Sequence, residues 1–185
     1  KPQHVFVVHG DREVAPYFAD SLQRLGLSAH APQYTEVYDL AAGRQPMYNE
    51  DGNLVVIYNG EIYNYQDLRA ELLAAGHTFA TQSDTEVLLH GYEEWGDALP
   101  ARLRGMCTFV IWDRSAKTLF GARDIFGIKP FYYYNVDGLF LFGSEIKSFL
   151  AHPGFHKSLN ERRLPEYLSI EYIPNAETMF ENVYK

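Results

Sequence analysis

Leu54-Val55-Val56-Ile57-Tyr58-Asn59-Gly60-Glu61-Ile62-Tyr63-Asn64 is the stretch that organises the chain. Leu54 to Tyr58 is a short apolar, β-branched run that reads as a buried strand. Asn59-Gly60, a pair able to adopt positive φ, reads as the polar turn that ends it. Glu61 follows at once, and Ser83-Asp84-Thr85-Glu86 supplies an answering turn at a helix start. Brought together, Glu61 and Asp84 make a small acidic pocket beside turn amides that can donate hydrogen bonds. Such a pocket suits the ammonium group of a zwitterion with an oxyanion close by. The same spacing also fits a hairpin-like turn followed by solvated carboxylates, and from spacing alone that plainer reading has the advantage.

Around this stretch, 185 residues with 46% hydrophobic content have room for one substantial core, or one domain plus an appendage. The 15% aromatic content, with 14 Tyr and 12 Phe, concentrates in alternating segments and argues for a large β component. A formal net charge of -8 disfavours nonspecific binding to nucleic acid or to an anionic membrane. The single cysteine, Cys107, excludes an internal disulfide framework and any CxxC metal site, and it fits a reducing compartment. No apolar run reaches the roughly 18 residues needed to span a bilayer. Lys1-Pro2-Gln3-His4 lacks the apolar core of a signal peptide. A soluble, cytoplasmic protein is the expectation.

Towards the N-terminus, His4 to Val8 reads as a strand, Glu13 to Leu25 as a helix closed by Gly26, and Leu27 to Ala31 as a second strand. This is a β-α-β unit with parallel strands, too small to bury a full core alone. Beyond it, Met47 opens a strand, Asn49 to Gly52 a turn, and a helix starts near Asn64 and ends at Gly76. Ser83 and Glu86 form a capping box, with Asp84 in the positive field of the next helix start. Strands at Met106 to Asp113, Thr118 to Arg123, Pro130 to Asn135 and Leu139 to Gly143 have short connections and predict one antiparallel meander. Glu145 to Leu150 reads as a short helix, Glu161 to Leu168 as a helix with Pro165 in its interior, and Phe180 to Tyr184 as a strand. The sharpest change of composition falls around Leu40 to Arg44.

Six segments, Gln45 to Asn49, Tyr58 to Asn64, Ser83 to Val87, Arg102 to Met106, Arg123 to Pro130 and Ser144 to Ser148, occur in an order and spacing that resemble the glutaminase domain of glutamine-hydrolysing asparagine synthetases. The resemblance spans residues 41–185 and implies a class II glutamine amidotransferase. The implied fold is α+β: an N-terminal-nucleophile-hydrolase-like layered β-sandwich flanked by helices. In that family an N-terminal Cys attacks the side-chain amide of glutamine with its own α-amine as base. The released ammonia passes to a separate synthetase domain, where ATP and magnesium act; the glutaminase domain itself uses no cofactor. Carried over, Asn59 and Gly60 form the oxyanion hole through a side-chain amide and a backbone N–H, and Glu61 and Asp84 hold the α-ammonium of glutamine. That gives the acidic pocket a chemical purpose and reverses the preference for the plainer reading. Arg123 to Pro130 and Ser144 to Ser148 read as scaffold and interdomain surface.

The family begins with its Cys, where this sequence has Lys1. An ungapped alignment from Asp39-Leu40 puts Tyr34 where the carboxylate-binding Arg of the family stands. Glutaminase turnover by the chain as written is therefore expected to be negligible. Cys107, within an apolar strand, reads as an inert core thiol. Residues 1–40 resemble instead the C-terminal β-α-β piece of RNA-processing metallo-β-lactamase-fold nucleases, through His4 to Asp11 and the Ala31-Pro32-Gln33-Tyr34 strand. The metal cluster of that family is absent, and His4, His9 and His30 lack metal-site spacing, so no metal is expected. Two resemblances meeting at Asp39-Leu40 suggest a chimera, whose β-α-β piece replaces the first elements of the amidotransferase. A noncatalytic chimeric fold and a nuclease fragment are the alternatives to a glutamine site.

Overall fold

The computed structural model describes residues 45–185 and two short strands nearer the start, Val5–Phe6 (β1) and Ala29–His30 (β2). The chain divides into two compact units, Lys1–Leu40 and Ala41–Lys185. In the first unit β1 and β2 run parallel, Val5 opposite Ala29 and Phe6 opposite His30. The helix expected over 13–25, His4, His9, Tyr34 and the Asp39-Leu40 junction lie outside the described residues.

In the second unit, β3 (Met47–Tyr48), β4 (Leu54–Ile62), β5 (Gly105–Asp113) and β6 (Thr118–Arg123) form one antiparallel sheet in that order. A second antiparallel sheet centres on β7 (Tyr132–Val136), flanked by β8 (Leu139–Gly143) and β9 (Val183–Tyr184). The single meander expected over 106–143 is thus two hairpins in different sheets. The stretch between them explains the division. The Asp124 carboxylate accepts the N–H groups of Ile128 at 2.9 Å and Lys129 at 3.0 Å. The Arg123 guanidinium donates to the carbonyls of Gly127 and Lys129, each at 2.6 Å. A loop closed on itself, followed by a proline with no N–H to offer a ladder, carries the chain away from β6 instead of back along it.

The organising strand differs from its expected form in two ways. First, β4 does not stop at Asn59-Gly60: its register with β5 is unbroken from Leu54 opposite Asp113 to Ile62 opposite Gly105. Gly60 and Gly105 both have φ of 154°. A Cβ on Gly60 would lie 2.2 Å from the Met106 carbonyl oxygen, and one on Gly105 would lie 2.1 Å from that of Glu61. Close approach of two backbones, not chain reversal, selects glycine here. Second, only one face of β4 is buried, with Leu54, Val56, Tyr58 and Ile62 in the core and Ile57 and Asn59 exposed on the other face.

Two helices cover the buried face. α1 (Tyr65–Ala75) ends, as expected, at Gly76 in the left-handed conformation, and it buries Leu68 and Leu72. α2 (Asp84–Trp95) buries Val87 and Leu88 against Val56, Phe109 and Ile111. Full burial of each such side chain contributes roughly 1.5–3 kcal/mol. Ser83 caps α2 by accepting the N–H of Thr85 at 3.2 Å. The capping box does not form, because Glu86 turns away to accept the N–H groups of Ala80 and Thr81, at 2.7 and 2.8 Å, and the Thr81 hydroxyl. Burial pushes the Glu86 carboxyl up, but these donors outweigh it and hold it below the ordinary carboxylate value.

Elsewhere, a short helix, α3 (Leu99–Arg102), precedes β5 and buries Leu99. The helix expected over 145–150 is a 3-10 segment, Ile146–Ala151. The one expected over 161–168 is a 3-10 turn, Glu161–Arg163, leading into α4 (Leu164–Ile170). Pro165 therefore sits in a first turn, where its missing N–H costs little. A smaller core of Tyr134, Phe149 and Val183 lies on the second sheet. No helix among the described residues is long and apolar enough to cross a membrane.

Candidate functional site

β3 pairs only with residues 55 and 56 of β4, so among the described residues no strand flanks β4 on that side from Ile57 onward. Two side chains meet this bare edge. Gln45 accepts the N–H of Tyr58 through Oε1, and Asp84, the first residue of α2, accepts the N–H of Ile62 at 3.1 Å through Oδ2. Backbone N–H groups alternate along a strand. The N–H of Gly60, midway between two that point to the edge, therefore points there too.

The same Asp84 oxygen accepts the Tyr58 hydroxyl at 2.7 Å. Asp84 is thereby bonded on both sides of Asn59-Gly60-Glu61, to Tyr58 before them and Ile62 after them. Burial, and then the Asp84 carboxylate, push the Tyr58 phenol well above its ordinary value, so it remains a neutral donor. Among the described residues, Asp84 Oδ1 accepts no hydrogen bond.

Asn59 lies on the exposed face, with its side-chain amide 3.5 Å from the Ser144 hydroxyl. This places it in a groove of about 70 Å³ between the two sheets, lined by Ile57, Thr108 and Val110 on one side and Phe131, Phe142 and Ser144 on the other. The bond is at the outer limit of hydrogen-bonding distance, so the amide is available to a better acceptor. Glu61 is exposed, and alternation puts it on the face of Asn59.

The end of β4 therefore carries two N–H donors, Asn59 Nδ2 and Gly60 N–H, beside two carboxylates, Glu61 and Asp84. Tyr58, Gln45 and Ser144 complete the surroundings, in roles that no local pattern signals. Tyr58 was legible only as a core residue, and Ser144 only as scaffold. Cys107 lies opposite Gly60 across the ladder, yet it is 5% exposed, and burial pushes its thiol up to about 11. It is an inert core thiol, as its apolar strand suggests.

The description "Glutamine amidotransferase domain" is that of the family model matched by residues 25–185. The match begins ahead of the Asp39-Leu40 junction. Among curated relatives, the glutamine-hydrolyzing asparagine synthetase 1 of Bacillus subtilis (strain 168) is 37% identical over 185 residues, 100% of this chain and 28% of the relative. Residues 1–40 share in that alignment. Synthetase 3 of the same organism is 47% identical over 137 residues, 72% of this chain and 22% of the relative. The chain thus spans about a quarter of the length of these relatives. Among solved structures, the glutamine phosphoribosylpyrophosphate amidotransferase of B. subtilis, complexed with ADP and GMP, superposes with a TM-score of 0.50 at 26% identity, covering 65% of this chain and 28% of that one. The α+β architecture of paired antiparallel sheets and helices is that of the N-terminal-nucleophile hydrolases. By sequence and by fold, the chain belongs to the glutamine amidotransferase domain family.

Proposed function

We propose that the end of β4 binds L-glutamine in the manner of an asparagine-synthetase glutaminase domain. The observation that carries this reading is the pair of hydrogen bonds that Asp84 Oδ2 accepts from Tyr58 and Ile62, on either side of Asn59-Gly60-Glu61. It anchors one carboxylate beside the edge-facing N–H of Gly60 and the weakly bonded amide of Asn59. On this reading Asp84 Oδ1 and Glu61 take the α-ammonium, and Asn59 Nδ2 and the Gly60 N–H receive the side-chain carbonyl oxygen. Those donors become most valuable when that oxygen turns anionic in a tetrahedral intermediate.

Hydrolysis to glutamate and ammonia also needs a thiolate and a base, and Cys107 does not offer the thiolate. The step itself needs no cofactor, and ATP and magnesium would serve only a synthetase domain that consumes the ammonia. Nothing in the fold or in these relatives favours a nuclease fragment. Calorimetric titration with L-glutamine tests the reading. Saturable binding that falls tenfold or more in Glu61→Ala and in Asp84→Ala is expected. Absence of binding at millimolar glutamine, or binding indifferent to both variants, overturns it.

A further inference from the structure

Far along α2 from Asp84, His90 is 1% exposed. Its Nδ1 lies 3.1 Å from Glu93 Oε2, and the same oxygen is 3.5 Å from Nδ1 of His77, in the turn after α1. The ligating atoms of these three residues all fall within 4.8 Å of one another. A tetrahedral zinc ion with bonds of about 2.0–2.1 Å holds its donors about 3.3 Å apart, so these two separations lie close to an edge of such a site.

What surrounds the three residues points the same way. Asn49 Nδ2 donates to Glu93 Oε1 at 2.7 Å, which leaves Oε2 to the imidazoles. The Phe79 ring meets His90 edge-on, with centroids 4.6 Å apart, and fixes its orientation. The outward nitrogen of His77, Nε2, lies 3.3 Å from Glu94 Oε2. That of His90 faces Glu86 Oε1 at 3.6 Å and Glu50 Oε1 at 3.7 Å, across a cavity of about 370 Å³. A ligating histidine characteristically turns its other N–H to a carboxylate; Nε2 of His77 does so here, and that of His90 faces two carboxylates beyond hydrogen-bonding distance.

The buried Nε2 of His90 has no hydrogen-bond partner. If the Nδ1 hydrogen is spent on Glu93, a neutral ring turns a lone pair at Nε2 toward two carboxylates. A cation on Nδ1 moves that hydrogen to Nε2, where it faces Glu86 as a donor. We infer that His77, His90 and Glu93 bind a divalent cation of the zinc class through His77 Nδ1, His90 Nδ1 and Glu93 Oε2, with water in the fourth position. No short metal motif announces it, because the ligands are brought together by the packing of the turn after α1 against α2. The ion staples that turn to the helix that begins with Asp84.

The test is titration of the chelator-treated full chain with Zn2+ in a calorimeter, with thermal unfolding alongside. One saturable site below about 100 µM and a raised Tm are expected, with affinity falling tenfold or more in His77→Gln and in Glu93→Gln. His156→Gln, at an exposed histidine, leaves it unchanged. No saturable site, or a loss smaller than tenfold in either variant, overturns the inference. Should a variant fail to fold, wild-type protein loaded with Co2+ decides. The intense visible band of a tetrahedral centre supports the site, and the pale spectrum of an octahedral one overturns it.

Discussion

The Tyr58 phenol and the Asp84 carboxylate are joined by a 2.7 Å hydrogen bond that ties the core face of β4 to the first residue of α2. The bond serves both stability and position. A buried hydroxyl held by a carboxylate is worth roughly 1.5–3 kcal/mol, and its loss leaves Asp84 with only the Ile62 N–H to hold it. Tyr58→Phe is therefore expected to lower unfolding free energy by that amount in urea titration, with m unchanged. It should also weaken glutamine binding severalfold, although Tyr58 touches no ligand on the reading above. Unaltered stability would mean that Asp84 is held by other groups.

Gly60 and Asn59 make a contrasting pair. A methyl group at Gly60 meets the Met106 carbonyl at 2.2 Å, and the backbone of β5 has no room to yield. Gly60→Ala is expected to cost about 3 kcal/mol or more. Asn59 is exposed, with one weak bond to Ser144. Asn59→Ala should change stability by no more than about 0.5 kcal/mol, yet reduce glutamine affinity. Equal costs in denaturant would refute the assignment of Gly60 to backbone approach and Asn59 to ligand binding.

These two residues also mark how far the sequence could be read. Asn59-Gly60 looks like a turn because local propensity favours positive φ there, but the demand comes from the backbone of Met106 and Cys107, far along the chain and across the ladder. Capping by Ser83 and closure by Gly76 were legible because each acts within a few residues of itself. Glu86 departs from the expected capping box because the preceding turn offers three donors where Ser83 offers one. The pairing of Glu61 with Asp84 beside the amides of Asn59-Gly60 was legible from spacing, and the roles of all four came through resemblance. What the sequence could not supply was the edge that Gln45 and Asp84 occupy, since it depends on how short β3 is.

Cys107 provides a check on which thiol could act. With its proton held up to about 11 by burial, roughly one molecule in a thousand carries the thiolate at pH 8. Iodoacetamide should leave the native protein unlabelled over an hour and label it fully in guanidinium. Cys107→Ala should leave glutamine binding intact while costing about 1–2 kcal/mol as a small core truncation. Rapid alkylation of the folded chain would reopen the question of a nucleophile opposite Gly60.

Asp124 yields a prediction in pH. Burial pushes its carboxyl up, but the N–H groups of Lys129 and Ile128, with Arg123 beside it, outweigh this and hold it below the ordinary value. The folded state thus binds the proton more weakly than the unfolded state. Its stabilising effect is complete above the unfolded carboxyl range, near pH 4 or so, and is lost as pH falls through the lower folded value. Asp124→Asn cannot ionise and keeps only one acceptor for the two amides. Its deficit against wild type, about 0.5–1.5 kcal/mol at neutral pH for partly solvated bonds, should therefore shrink as denaturation is repeated at progressively lower pH. A deficit that stays constant down to about pH 3 would mean that the loop between β6 and β7 is held by Arg123 alone, and that Asp124 is a solvated turn residue.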